Sequence, residues 1–308
     1  MTQWRDKRVG VLFGGLSAER EISHLSGTAI CKTLRERGYA VTPMEVDAFG
    51  TWIAQVRDTD VVFIALHGKL GEDGTVQGVL ELLGVPYTGS GVLASALAMN
   101  KPMAKRVWQV YGLPTPAWQV IEKTHPAPMT LSYPVVVKPS TEGSSVGVTI
   151  VRSAETLATA LVEAWRFDPQ ALVETYIPGK EVTVGILGEQ ALGAMEVIAK
   201  GEFHSYDVKY TAGREEFILP APLSPSVYDR VRQVALSAHQ ALECCGYSRV
   251  DTRITEQGDV FLLEVNSLPG FTALSYLPRI AEYAGLNYGA LVEVILQRAA
   301  LHIHRRTR

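Results

Sequence analysis

The stretch Lys138-Pro-Ser-Thr-Glu-Gly-Ser-Ser-Val-Gly147 stands between two β-rich runs, Val135 to Lys138 and Val146 to Val151. A lysine ends the first run and a short Gly/Ser loop follows it. With no Cβ at Gly143 and Gly147, backbone N–H groups of the loop can approach phosphate oxygens closely. Lys138 adds a point charge. A flexible hairpin loop is the plain alternative, and the strand-end lysine weighs against it. The chain lacks the pattern G-x-x-x-x-G-K-[ST]. The expected grip is therefore strand–loop–strand, which points away from P-loop enzymes.

Upstream of this loop the chain alternates strand and helix. Val9-Gly-Val-Leu-Phe13 reads as a buried strand ending at Gly14-Gly15, and Ile22 to Arg37 carries a helical apolar period that stops at Gly38. Val61 to Leu66 is a second buried strand, ending at His67-Gly68. A helix over Val76 to Leu83 stops at Gly84, before Val85-Pro-Tyr87. Such alternation predicts a parallel, doubly wound sheet, with ligands at the carboxyl ends of its strands.

Nearer the loop, the pattern predicts one helix over Leu93 to Val110, the breaker Gly112-Leu-Pro-Thr-Pro116, a strand over Trp118 to Ile121 and a helix over Ala154 to Ala164. Downstream, strands are expected at Glu181 to Ile186, Ala191 to Ile198, Arg249 to Ile254 and Val260 to Val265. Helices are expected at Ser226 to Cys244 and Tyr288 to Leu301. The expected fold is α/β: a parallel lobe over residues 1–90 and two α+β lobes over 91–173 and 174–308. Gly89-Ser-Gly91-Val-Leu-Ala94 fits G-x-G-x-x-[GA]. It follows a late strand, with no acidic strand end about 20 residues on, so a helix-entry turn accounts for it.

Arg249-Val-Asp251-Thr-Arg253 and Val260-Phe-Leu-Leu-Glu264-Val-Asn266 flank the turn Glu256-Gln-Gly-Asp259. A hairpin centred on Gln257-Gly258 sets Asp251 opposite Glu264 and Arg249 opposite Asn266, and the two-residue period puts all four on one face. Three oxygen ligands on one face suit a hard cation, magnesium with a bound phosphate above all. The alternative is a solvated polar face balanced by Val250, Thr252 and Val265 inward. Past Asn266, the N–H groups around Pro269-Gly270 are placed to meet a developing oxyanion.

Other candidates have two readings each. Glu174 and Glu181 bracket Tyr176-Ile-Pro-Gly179 after the apolar Ala171-Leu-Val173, as an adenine slot with a ribose acceptor or as surface glutamates. Glu19 holds a substrate ammonium, or is a first-turn acid behind Ser17 as N-cap. His67 is a ligand-facing or a satisfied strand-end histidine. Gly201 to Gly213, with few aliphatic residues and a glycine at each end, reads as a mobile lid.

Bulk properties narrow the class. The 308 residues are 47% hydrophobic and carry a net charge of −3, which excludes the basic excess that nucleic-acid binding needs. The apolar runs are too short to span a bilayer, and no signal-peptide pattern opens the chain. Three cysteines, two of them the adjacent Cys244 and Cys245, form neither a disulfide framework nor a zinc site, so a cytoplasmic setting is expected. The basic residues near the end, His302 to Arg308, read as a solvated terminus.

Taken in order, these residues closely resemble the D-alanine–D-alanine ligases of the ATP-grasp fold, along essentially the whole chain. The matching stretches are Gly14 to Ser23, Ala65 to Gly68 with Gly71 to Gly74, Tyr87 to Gly91 and Asn100-Lys101. They continue through Lys138 to Gly147, Lys209-Tyr210, Arg249 to Asp251 and Leu263 to Gly270. The resemblance implies ATP as co-substrate, D-alanine as the small-molecule substrate, two magnesium ions (with manganese as a substitute) and a homodimer. Lys101 and Lys138 would hold phosphates, with Ser144 and Lys209 beside them. Glu174, Tyr176, Ile177 and Glu181 would hold the nucleoside. Asp251, Glu264 and Asn266 would bind metal. Glu19 would bind the first D-alanine's amine and link through Ser144 to Tyr210. His67, Lys209 and Ser275 would serve substrate, and Arg249 with the Gly270 N–H would stabilise the acyl phosphate and the tetrahedral intermediate.

Three departures stand out. Thr175-Tyr176 replaces a lysine beside the adenine, Ser267-Leu268 replaces Thr-x before Pro-Gly, and Tyr276 follows Ser275 where an aliphatic residue is usual. A D-alanine–D-lactate ligase, a nucleotide-binding regulator on the same fold and a nicotinamide dehydrogenase are the rival readings.

Overall fold

The computed structural model describes residues 3–199 and 215–303. Lys209, Tyr210 and the lid expected over 201–213 lie outside them. The first lobe holds three parallel strands, β1 (Arg8–Gly14), β2 (Ala40–Val46) and β3 (Val61–Ile64), in the order β2-β1-β3. β1 is central and its Val9, Val11 and Leu12 are fully buried. β2 was not expected, because Ala-Val-Thr-Pro-Met-Glu-Val has no apolar run. Pro43 is tolerated there because β2 is an edge strand. Helix α1 (Arg20–Glu36) packs on β1 through Gly27, where a Cβ would lie 2.4 Å from that of Phe13. The short α2 (Trp52–Val56) precedes β3, and α3 (Thr75–Leu83) follows it.

The single helix expected over Leu93 to Val110 is two helices, α4 (Val92–Met99) and α5 (Lys101–Val110). Asn100 between them is extended, and its side chain caps α5 by accepting the Met103 N–H at 3.1 Å. Pro102 occupies the first turn, where its missing N–H costs nothing. The break aims Lys101 at the loop Lys138 to Gly147: its backbone N–H donates to the Ser140 carbonyl at 3.1 Å.

Two antiparallel sheets follow. Strands β4 (Trp118–Glu122), β5 (Val135–Pro139), β6 (Thr149–Val151) and β7 (Gln170–Thr175) lie in the order β4-β7-β5-β6, and α6 (Ala154–Ala164) shares their core. Strands β8 (Lys180–Leu187), β9 (Gln190–Ala199), β10 (Glu215–Ile218), β11 (Tyr247–Ile254) and β12 (Val260–Asn266) lie in the order β10-β9-β8-β11-β12. Three helices complete the chain: α7 (Pro225–Ala241), α8 (Tyr276–Tyr283), which was not expected, and α9 (Tyr288–Gln297). Among the described residues no helix is long and apolar enough to cross a membrane.

Packing does not respect three consecutive segments. Ala94, Ala98, Ala104 and Trp108 of α4 and α5 share a core with Val182, Val184 and Val231 of the five-stranded sheet and α7, although they precede the four-stranded sheet in sequence. Leu291, Val292, Ile295 and Leu296 of α9 lie in the core of the first lobe, and Tyr87 pairs with Ala300. The segments 91–173 and 174–308 thus each contribute elements to a neighbouring lobe.

The cap at Asn100 carries a testable load. Asn100→Ala is expected to lower unfolding free energy by about 1 kcal/mol in denaturant titration, and Asn100→Ser by much less. Equal stability of Asn100→Ala and the parent chain would refute the cap.

Candidate active site

The metal-face register expected from the sequence is present: Asp251 pairs with Glu264 and Arg249 with Asn266. Its origin differs from a hairpin centred on Gln257-Gly258. Thr255 and Asp259 close a three-residue turn with Gly258 at φ +86°, and pairing runs Ile254↔Val260 to Thr252↔Leu262. One extra residue, Leu263, then restores the expected register as a β-bulge. Leu263 and Glu264 consequently both line the cleft, while Val250, Thr252 and Val265 are buried on the other side.

Two adjoining cavities occupy the cleft between the lobes. The larger, about 480 Å³, is lined by Glu19, His67, Ser144, Arg249, Asn266, Gly270 and Ser275. The smaller, about 130 Å³, is lined by Lys138, Glu174, Tyr176, Ile177, Glu181 and Asp251. Lys101, Glu142, Gly143 and Glu264 line both, so the cavities meet there. Every site residue expected from the sequence and lying among the described residues faces one of the two.

At the smaller cavity, Glu174 is buried between two lysines. Lys138 Nζ donates to its Oε1, and Lys105 Nζ lies 2.7 Å from its Oε2. Burial would raise the Glu174 pKa, but the charges of Lys105 and Lys138 win and hold it below the usual carboxylate value. Arg253 organises the opposite wall: its Nε donates to the Ile177 carbonyl at 3.1 Å, its guanidinium lies over the Tyr176 ring, and it reaches Glu181 at 3.6 Å.

The loop Lys138 to Gly147 is bound to its surroundings. Ser144 and Ser145 sit at φ +50° and +58°, a costly conformation for residues with a Cβ. Ser144 Oγ donates to Glu19 Oε1, and Lys69 pairs with Glu142, so the loop is tied twice to the first lobe. Lys101 donates to the Glu142 carbonyl and lies 3.2 Å from Glu264. Ser17 is not the N-cap expected for α1, since Glu19 holds that position. The Ser17 hydroxyl instead accepts the Glu19 N–H and donates to the His67 carbonyl.

His67 joins the first lobe to the loop after β12. Its Nδ1 donates to the Leu268 carbonyl at 2.9 Å, and its Nε2 meets Ser26 Oγ at 3.1 Å, which in turn accepts the Phe271 N–H. Burial pushes its pKa down, and the two contacts select the neutral ring with the proton on Nδ1. Beside it, buried Glu72 is pushed up to about 8 by burial, and next by the charge of Glu19.

Arg249 grips Asp251 with Nε at 2.9 Å and Nη2 at 2.7 Å, and Thr183 Oγ1 donates to the same carboxylate at 2.6 Å. Burial works against the Arg249 charge, but Asp251 overcomes it and keeps the guanidinium protonated. Tyr276 stacks on that guanidinium at 5.3 Å. Ser275 Oγ accepts the Thr272 N–H at 3.0 Å, and a Cβ at Gly270 would come within 3.2 Å of it. Asp251 lines the smaller cavity, Asn266 the larger and Glu264 both; their carboxylate and amide oxygens are a donor set that fits a hard divalent cation.

Two antiparallel sheets closing on a cleft, with a strand–loop–strand grip and a parallel lobe alongside, define the ATP-grasp class of ligases. Family models agree: one described as "D-ala D-ala ligase N-terminus" matches residues 8–60 and 54–90, and one described as "D-ala D-ala ligase C-terminus" matches 107–297. The D-alanine–D-alanine ligase of Geotalea uraniireducens is 51% identical over 302 residues, 97% of each chain. That of Geobacter sulfurreducens is 51% identical over 300 residues, 96% of this chain and 95% of the relative. Among solved structures, the Bacillus anthracis D-alanine–D-alanine ligase complexed with ATP superposes with a TM-score of 0.85 at 33% identity, covering 95% of this chain and 97% of that one. VanG D-Ala:D-Ser ligase from Enterococcus faecalis gives 0.82 at 28% identity, covering 94% and 98%. The chain belongs to the D-alanine–D-alanine ligase family and is an ATP-dependent ligase.

Several site residues escaped the sequence reading. Lys105 lies one turn after Lys101, among the buried Ala104 and Trp108, and a lysine at a core-facing helical position was the available signal. Arg253 had the strand period that brings it to the cleft face. Glu72 lay inside the matching stretch Gly71 to Gly74, but nothing there marked it as a site residue.

Glu72 should leave a pH signature. Between the ordinary carboxyl value and about 8, the folded chain keeps a proton that the unfolded chain has released. Stability from this group is therefore full in acid and lost as pH rises through 8. The denaturation midpoint of the parent chain should fall between about pH 6 and about pH 9 more than that of Glu72→Gln. Parallel profiles would refute the buried protonated carboxyl.

Proposed function

We propose that the chain carries out its family's reaction, joining two molecules of D-alanine with cleavage of ATP to ADP and phosphate, and that the residues above act as follows. The observation that carries the reading is the meeting of the two cavities at Lys101, Glu142, Gly143 and Glu264. A nucleotide in the smaller cavity then presents its terminal phosphate to a carboxylate in the larger one.

A carboxylate is too poor an electrophile for an amine, so phosphoryl transfer first gives D-alanyl phosphate. Lys101, Lys138 and the loop N–H groups offset charge on the transferring group. Glu174, Tyr176, Ile177 and Glu181 form the nucleoside end of the slot. Asp251, Glu264 and Asn266 would hold a pair of magnesium ions, or manganese in their place, which when bound screen the phosphate oxygens. Glu19, held by Ser144, takes the ammonium of the first D-alanine. His67, kept neutral and fixed in orientation, borders the same subsite.

The second D-alanine places its carboxylate by Ser275 and attacks as the free amine. The Arg249 guanidinium and the Gly270 N–H receive the developing oxyanion, and phosphate leaves. Lys209 and Tyr210 are assigned to the same subsites from the sequence resemblance. The proposal extends to a homodimer in the cytoplasm, in peptidoglycan precursor synthesis. D-lactate as second substrate would serve an ester-forming relative. The amine is favoured because Tyr210 points to the dipeptide by family resemblance.

Phosphate release is expected to need D-alanine and magnesium, with L-alanine inert and D-lactate a poor second substrate at neutral pH. Equal turnover with L-alanine would end the substrate assignment. Glu264→Gln and Asp251→Asn should each abolish ligation with the far-ultraviolet circular dichroism unchanged. A variant keeping the parent rate and magnesium dependence would show that the strand-pair face is not the metal site.

A further inference from the structure

We infer that Lys105 is a positioning residue for the nucleotide phosphates: from behind the smaller cavity it takes up one oxygen of Glu174, so that Lys138 carries surplus positive charge into that cavity. The inference rests on the assignment of the cavity to ATP.

The Lys105 side chain is fully buried, one helical turn beyond Lys101 on α5. A lysine is rarely buried so completely without a partner, and Lys105 has two, the Oε2 of Glu174 at 2.7 Å and Oγ1 of Thr115. Glu174 and Lys138 line the cavity, and Lys105 does not. Thr115 passes the link on, donating to the Leu262 carbonyl at 2.9 Å, while the Leu262 N–H donates to Pro114 at 2.9 Å. Lys105 thus fastens α5, the segment before β4, strand β7 and strand β12 at one point.

Charge explains why a second lysine belongs there. A buried pair of Lys138 and Glu174 alone would be neutral and would spend the Lys138 charge on its neighbour. With Lys105 on the other carboxylate oxygen, the cluster of two cations and one anion keeps one positive charge, and its exposed end is Lys138. The groups facing Lys105 are Glu174 on β7, Lys138 on β5 and Lys101 on α5 itself. Burial lowers its pKa to about 8, partly opposed by Glu174. The surplus charge is therefore present at neutral pH and fades in alkali.

The test compares affinities of the full chain, by calorimetry with magnesium present, for a non-hydrolysable ATP analogue with a β,γ-imido linkage and for adenosine. Their ratio isolates the phosphates and cancels adenine contacts. Lys105→Met should cut that ratio about tenfold, the scale of one partly buried charge acting across the site. The double variant Lys105→Met with Glu174→Gln restores a surplus of one charge and should return the ratio to within about threefold of the parent.

Equal loss for both ligands, or a double variant as weak as the single one, would make Lys105 a packing residue and overturn the inference. If Lys105→Met does not fold, Glu174→Gln is compared with the double variant. The former holds two surplus charges and should show the higher ratio, and equal ratios overturn the inference. A parent chain that binds the analogue no better than adenosine would instead remove the ATP assignment.

Discussion

One inserted residue governs the site. Leu263 bulges from β12, and without it the pairing set by the Thr255–Asp259 turn would leave Asp251 one position out of step with Glu264. Because side chains alternate along a strand, a slip of one residue would send the Glu264 carboxylate inward and an apolar side chain outward. The bulge also makes two successive residues face the cleft. Leu263 adds an apolar surface to the smaller cavity while Glu264 stands where the cavities meet. An apolar wall of the smaller cavity and the face proposed to hold metal thus share a single backbone irregularity.

Around this strand pair, the cleft is held by contacts that cross between lobes. His67 bonds the loop after β12, Glu19 and Lys69 hold the loop Lys138 to Gly147, and Lys101 reaches the Ser140 and Glu142 carbonyls as well as Glu264. Each such contact contributes on the order of 1 kcal/mol, too little to weld the lobes but enough to set their orientation. Polar groups dominate here because the interior must accept a highly charged co-substrate. Buried cations and carboxylates are satisfied by one another, so directional bonds line the cleft while the apolar cores shared between lobes lie behind it.

Elements with strong local signals were legible in the sequence. The buried runs of β1 and β3 and the period of α6 were read to within two residues, because apolar repetition there reports a single buried face. The register of Asp251 and Glu264 was read correctly from a turn that lies half a residue elsewhere, and the bulge made up the difference. No local rule announces a bulge. β2 was missed because an edge strand buries little, and the α4–α5 break because the apolar period runs across Asn100, although Asn followed by Pro102 was a start signal for a new helix. The proposed site residues were picked out by motif resemblance and, for Asp251, Glu264 and Asn266, by the strand period. Lys105 has no motif, and its role emerges only when Glu174 is seen to have two oxygens to satisfy.

The return of α9 to the first lobe bears on how the chain is made. A ribosome delivers β1, β2 and β3 first, yet Leu291, Val292, Ile295 and Leu296 are among the side chains that fill the core beneath them. Until residues 288–297 are made, that sheet holds an apolar surface that these side chains are not yet there to cover. The lobe translated earliest is the last to close, and a nascent chain stalled before residue 288 leaves that surface exposed to the chaperones that wait at the tunnel exit.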